Sequence, residues 1–173
     1  NLSLLMSREK RIEQVMEAFG KKVIQQSRSN LTRKKKSSTK TLYNSLGYNL
    51  EVFKSGNFSL SFEMEEYGNY QDLGVSGTKK KYNTPFKYTN KRPPASAFGN
   101  WVVRKGLKGT RDAKGRFTSR KGLQFAIANH IFEQGIKPTH FFSRPFGIEY
   151  NRLPLDIAEA FALTQIEFSK ETE

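Results

Sequence analysis

The segment from Gly77 to Lys121 holds 14 Lys/Arg and a single acid, Asp112. Pro85, Pro93, Pro94, Gly99, Gly106, Gly109 and Gly115 punctuate it. Like charge at this density repels itself, and the prolines and glycines resist regular structure. A chain of 173 residues with this segment in its middle must draw its core from the flanks. The expectation is one domain over 1–173 with a basic arm, 77–121, projecting from it and poorly ordered in an isolated subunit. Within the arm, "WVVR" and "GRFTS" are candidate strand pieces of an extended hairpin.

The flanks supply two periodicities. Leu5, Ile12, Val15, Met16, Phe19 and Val23 recur at three- and four-residue spacing, which predicts a helix over 3–28. Ser3 or Ser7 is placed to cap its start. "YNLEVF" and "FSLSFEM" alternate apolar and polar residues. "KSGN" between them offers Gly56 for a positive φ, so the pair reads as an antiparallel hairpin with one buried face. A second helix is predicted from about Ser119, with Leu123, Ala126, Ile127, His130 and Ile131 inward and Gly135 as its stop. After a connector rich in proline and aromatics, a last helix is predicted from Pro154 to Ser169, burying Leu155, Ala158, Phe161, Ala162 and Ile166. These elements define an α+β fold, a small antiparallel β-sheet packed by N-terminal, middle and C-terminal helices. The predicted core includes Phe19, Leu50, Val52, Leu60, Phe62, Ile127, Ile131, Leu155 and Phe161.

Catalytic chemistry finds little footing. Without cysteine there is no thiolate or disulfide chemistry, which is compatible with a reducing cytosol. His130 and His140 are the only histidines, and no further ligands stand at metal-site spacing. "GVSGT" is not a nucleophile elbow, and "GLKGTRDAKGR" lacks phosphate-loop spacing. The acids Glu63, Glu65, Glu66 and Asp72 read as an outward face meeting a basic neighbour rather than an acid–base pair. The basic run "TRKKKSSTK" reads as a solvated linker. The opening "NLSLLMSREK" has an apolar run too short for a signal peptide or a spanning helix. The chain opens on Asn1, as expected of a sequence lacking its initiator Met or a longer N-terminus. Neither enzymatic activity, cofactor nor metal is expected. The net charge of +14 instead points to a polyanion or an acidic protein surface.

Three stretches, in order, carry a family resemblance: "TLYNSLGYNLEV", "MEEYGNYQDLGVSG" and "GIKPTHFFSRPF". Over about residues 10 to 165 the chain resembles the small neck proteins of tailed bacteriophages, the tail-completion or head–tail connector family. Gln71 or Asp72 stands where that family has Glu. The charged insert and "RDAKGRF" are most similar to versions in phages of Bacteroidales, crAss-like phages among them. The resemblance implies an α+β virion protein, without catalytic residues, assembled in the host cytoplasm into a ring of 6 or 12 copies between portal and tail. Its implied partners are portal or adaptor ring proteins, tail proteins and packaged double-stranded DNA bound without sequence specificity.

Contacts to DNA or a partner are expected from Lys79, Lys80, Lys81, Phe86, Lys87, Lys91, Arg92, Trp101, Arg104, Lys105, Arg111 and Arg116. Phe86 and Trp101 would anchor and the cations form the rim. Contacts between subunits are expected from Glu65, Glu66, Tyr67, Tyr70 and Asp72. The rival reading is a free basic nucleic-acid-binding protein, since "KYNTPFKYTNKRPP" interleaves aromatics with cations.

Overall fold

The structure is a computed structural model describing residues 2–34, 40–109, 111 and 114–171; side-chain surroundings of 2–7, 167, 168, 170 and 171 are not described. The first helix begins at Leu2, so the expected caps Ser3 and Ser7 fall inside it rather than at its start; the burial of the stripe residue Leu5, together with Asp112 and the centre of the "TRKKKSSTK" linker, lies outside that description. The fold is α+β, with six helices and a two-stranded antiparallel sheet among the described residues. The chain divides into two compact units, Asn1–Gly68 with His140–Glu173, and Asn69–Thr139.

In the first unit, α1 (Leu2–Arg33) outruns its predicted end at residue 28. Phe19, Val23, Ile24, Ser27 and Leu31 continue one buried stripe, and no glycine or proline interrupts it beyond Gly20. Ser27 is tolerated there because its hydroxyl donates to the Val23 carbonyl at 2.7 Å. A short helix, α2 (Thr41–Ser45), was not legible in the sequence; it inserts Leu42 beside the equally buried Leu46. Arg28 of α1 donates to the carbonyls of Tyr43 and Leu46, satisfying acceptors that the end of α2 leaves open.

The hairpin forms as the alternation predicts. Strands β1 (Gly47–Val52) and β2 (Phe58–Glu63) pair antiparallel, Tyr48 opposite Phe62 and Leu50 opposite Leu60. Gly56 takes φ +79 in the turn, and its N–H donates to the Phe53 carbonyl. Val52 does not join the core: cover fades along β1, and Val52 is 48 % exposed.

The C-terminal helix α6 (Ser143–Glu171) begins eleven residues before the predicted Pro154. Pro145 occupies its first turn, where a missing N–H costs nothing. Pro154 lies inside the helix and removes one backbone bond. Its packed face runs through Phe146, Glu149, Leu153, Ile157, Ala160 and Thr164, of which Glu149, Ala160 and Thr164 are buried, not through the predicted Leu155, Ala158, Ala162 and Ile166. Leu155 is 73 % exposed. Phe161 is half-buried, with the Arg8 guanidinium 4.8 Å above its ring. Where α1, the hairpin and α6 meet, Phe62 contacts Phe19, Phe142 and Phe146 edge-on, with centroids 5.4 to 5.9 Å apart.

The second unit holds most of the basic segment. Helix α3 (Tyr67–Leu73) leads into it. There follow a 3-10 turn (Ala95–Phe98), α4 (Gly99–Arg104) and α5 (Arg120–Gln134). "WVVR", predicted as strand, is therefore helical; it extends the turn that follows Pro93–Pro94 and buries Val102. "GRFTS" contributes only an isolated bridge, Arg111 with Phe117. Helix α5 starts as predicted, with the Ser119 hydroxyl accepting from the Gly122 N–H at 3.1 Å, and ends at Gly135 with φ 72. Its packed face is Leu123, Ile127, Ala128 and Ile131, while Ala126 and His130 are exposed.

Candidate functional site: the basic unit

The chain's charge follows its structural division. Residues 69–139 contain 15 Lys/Arg against 3 acids, a net +12, whereas the other unit has 15 against 13, a net +2. Segment 77–121 is not a free-standing hairpin, because main-chain contacts bind its start to the end of α5. Val75 and Ile136 exchange two backbone hydrogen bonds of 2.8 Å. The N–H groups of Thr78, Lys79 and Lys80 donate to the Phe132 and Glu133 carbonyls, which the helix cannot satisfy itself. The "GTKKK" stretch thus caps the C-terminus of α5, where positive charge also suits the helix dipole.

That role redefines the three lysines. Lys79 Nζ sits 2.8 Å from Glu133 Oε2, Lys81 Nζ donates to the Gly77 carbonyl, and Lys80 lies over the Tyr82 ring at 5.6 Å. All three are exposed, so these contacts are weak and leave the charge open to solvent. Lys87, Lys91, Arg104 and Lys105 are exposed as well, and Arg116 extends the set. Arg92 and Arg111 are more organised. Arg92 bonds Asn129 and lies 4.6 Å over the Phe125 ring. Arg111 donates to the Gly115 carbonyl and lies 4.4 Å over Phe117. A guanidinium held flat on an aromatic face keeps outward N–H groups for a phosphate or carboxylate.

The predicted anchors divide. Trp101 is 38 % exposed on α4 and remains a surface aromatic. Phe86 is half-buried, with its ring edge-on to Tyr70 at 4.7 Å and its carbonyl accepting from Ser76; it packs the unit rather than presenting to a partner. Sequence reading missed Phe117 and Phe125, which are 66 % and 51 % exposed. The available signal was that Phe125 falls off the inward stripe assigned to its own helix.

The expected acidic contact between subunits loses one member. Glu65, Glu66, Tyr67 and Tyr70 are exposed, but Asp72 is only 3 % exposed and cannot meet a neighbour's lysines. Burial raises the Tyr67 pKa above its ordinary 10.0, partly offset by a hydrogen bond with the Leu42 backbone. Burial also raises that of Tyr88, whose ring packs against Phe132.

Among the described residues, no three His, Asp or Glu gather to hold a metal ion, and no helix is long and apolar enough to cross a membrane. Compared with protein-family models, curated proteins and solved structures, the chain matches none.

Proposed function

We propose that the chain is a virion structural protein of a tailed-phage neck, copies of which form a ring of 6 or 12 joining portal to tail. The observation that carries this reading is the partition of charge. A subunit with +14 spread evenly would repel its own copies. A nearly neutral unit can pack against copies and partner rings, while a +12 unit holds a polyanion through its phosphates without reading bases. Many copies around a ring multiply weak contacts. The resembling stretches support the reading in a second way. Each holds part of the core, Leu42 with Leu46, Gly74 with Val75 and Thr139 with Phe141 being buried among exposed positions.

Native mass spectrometry of the purified chain, alone and with a portal protein, tests the proposal. A closed cyclic oligomer, or incorporation into a portal complex, is the expected result. A monomer that ignores the portal, or a two-fold dimer as the sole assembled state, overturns it.

The exposed Phe117, Phe125 and Trp101 beside Arg92 and Arg111 favour a second reading, a free nucleic-acid-binding protein that stacks single-stranded bases. That reading requires tighter binding to single strands than to duplex, and no ring.

A further inference from the structure

Between α1 and α6 lies an open cleft of about 310 Å³. Phe19 and Ala160, both buried, give it an apolar floor, with half-buried Val15 and the exposed Leu163 also in its lining. Three carboxylates line it, Glu149, Asp156 and Glu159, against two cations, Arg11 and Lys22. Glu149 is occupied within the fold: it accepts from Gln26 Nε2 at 2.6 Å, with Lys22 Nζ 4.0 Å away. Asp156, half-buried, and Glu159, exposed, are the other two carboxylates of its lining. In a chain where bases outnumber acids 30 to 16, this is a local excess of acid over an apolar surface.

The hairpin tip has the opposite chemistry. Val52 and Phe53 are each 48 % exposed at the end of β1, followed at once by the exposed cation Lys54. The turn is already closed by its own bonds, Phe53 N–H to the Asn57 carbonyl and Gly56 N–H to the Phe53 carbonyl, both 2.9 Å. Such a tip loses little freedom on docking. It cannot turn into its own cleft, because the hairpin is packed along α1. Tyr48 presses on Gly20, where an added Cβ would meet its ring at 2.7 Å, and a Cβ on Gly56 would stand 3.2 Å from Glu9 Oε1.

We propose that the α1–α6 cleft receives the β1–β2 tip of a second copy of this chain, Phe53 seating on the apolar floor and Lys54 meeting Asp156 and Glu159. An aromatic anchor flanked by a matched charge is the usual core of a small specific contact. Tip and cleft are different patches of one protomer, so the contact is heterologous and propagates from copy to copy until it closes. This inference rests on the ring reading and names its interface, in place of the acidic patch at Glu65 and Glu66.

The absence of cysteine makes the test direct, because introduced thiols are the only ones present. Ser55→Cys, beside the anchor at the tip, and Gln14→Cys, on the lining of the cleft, leave the proposed contact residues in place; the two chains are purified separately, mixed, and treated with a short bis-maleimide. The expected products are a heterodimer from the mixture and a ladder of multimers from the doubly substituted chain, with little linkage of either single variant alone. Lys54→Glu is expected to weaken assembly at least about tenfold, and adding Glu159→Lys to restore it. If native mass spectrometry shows rings but the mixture does not link, this contact is wrong and the ring reading survives. If only monomers appear at any concentration, both fall. If Leu155→Cys links to itself while the mixture does not, the copies pair two-fold through the exposed face of α6, and the proposal is overturned.

Discussion

The rings of Phe62 and Phe146 meet at 88° with centroids 5.8 Å apart, tying the hairpin to α6 at the centre of an aromatic cluster that also includes Phe19 and Phe142. Truncation here removes several edge-to-face contacts at once. Phe62→Ala is expected to cost about 3–5 kcal/mol in chemical unfolding. Leu155→Ala, on the solvent side of α6, should stay within about 0.5 kcal/mol. Equal effects from the two would mean that the buried face of α6 is misassigned.

Tyr48 donates its hydroxyl to Glu17 Oε2 at 2.6 Å. This bond, then burial, then the carboxylate charge raise its pKa above 10.0. The folded state therefore holds the proton more tightly than the unfolded chain, so the contribution is complete below pH 10 and is lost as pH rises through the folded value. Tyr48→Phe should lower stability at pH 8 and shrink the alkaline decline. Tyr67 and Tyr88, also raised, should leave a residue of it. Urea midpoints at pH 8 and at about pH 11 measure the difference.

Gly77 allows backbone to meet backbone. A Cβ there would lie 2.1 Å from the Glu133 carbonyl oxygen, a clash no rotamer relieves. Gly77→Ala is expected to unseat the cap of α5 and raise amide exchange at Thr78–Lys80 and Gly135–Ile136 by orders of magnitude. Amides of the Tyr48–Phe62 pairing should serve as the reference that changes least. Unchanged exchange at Thr78 would contradict the clamp.

The basic unit should bind duplex DNA with a steep salt dependence. Replacing Lys87, Lys91, Arg104 and Lys105 with Gln should weaken binding similarly for unrelated sequences. The slope of log K against log salt should fall by about 0.9 for each phosphate that is no longer neutralised. Lys79→Gln alone should do less, because that side chain already divides itself between Glu133 and solvent. Strong sequence preference would contradict binding through phosphates.

The hairpin was legible because alternation and a turn glycine agree over one short stretch. Helix α5 was legible because Ser119 and Gly135 mark its ends. The start of α6 was not, because its buried face includes Glu149 and Thr164 while Leu155 and Ile166 face water; hydropathy therefore selects the wrong side, and Pro154 mimics a first turn. "WVVR" misled through its β-branched residues, whose weak preference yields to local context. At the candidate site the lysine-rich start of the segment was visible as charge. Its use as a helix cap was not, because the bonds that do the capping come from the main chain and leave no mark on residue type.

That clamp has a consequence for how this protein can change. Where peptide groups hold peptide groups, as at Lys79 and Lys80 with α5, the exposed side chains carry little of the clamp. The lysines can be recoded to glutamine or arginine with the scaffold intact. Affinity for the outside world can thus be retuned, in nature or by an engineer, on a different schedule from folding. The glycines at 74, 77 and 135 are the fixed points of that freedom.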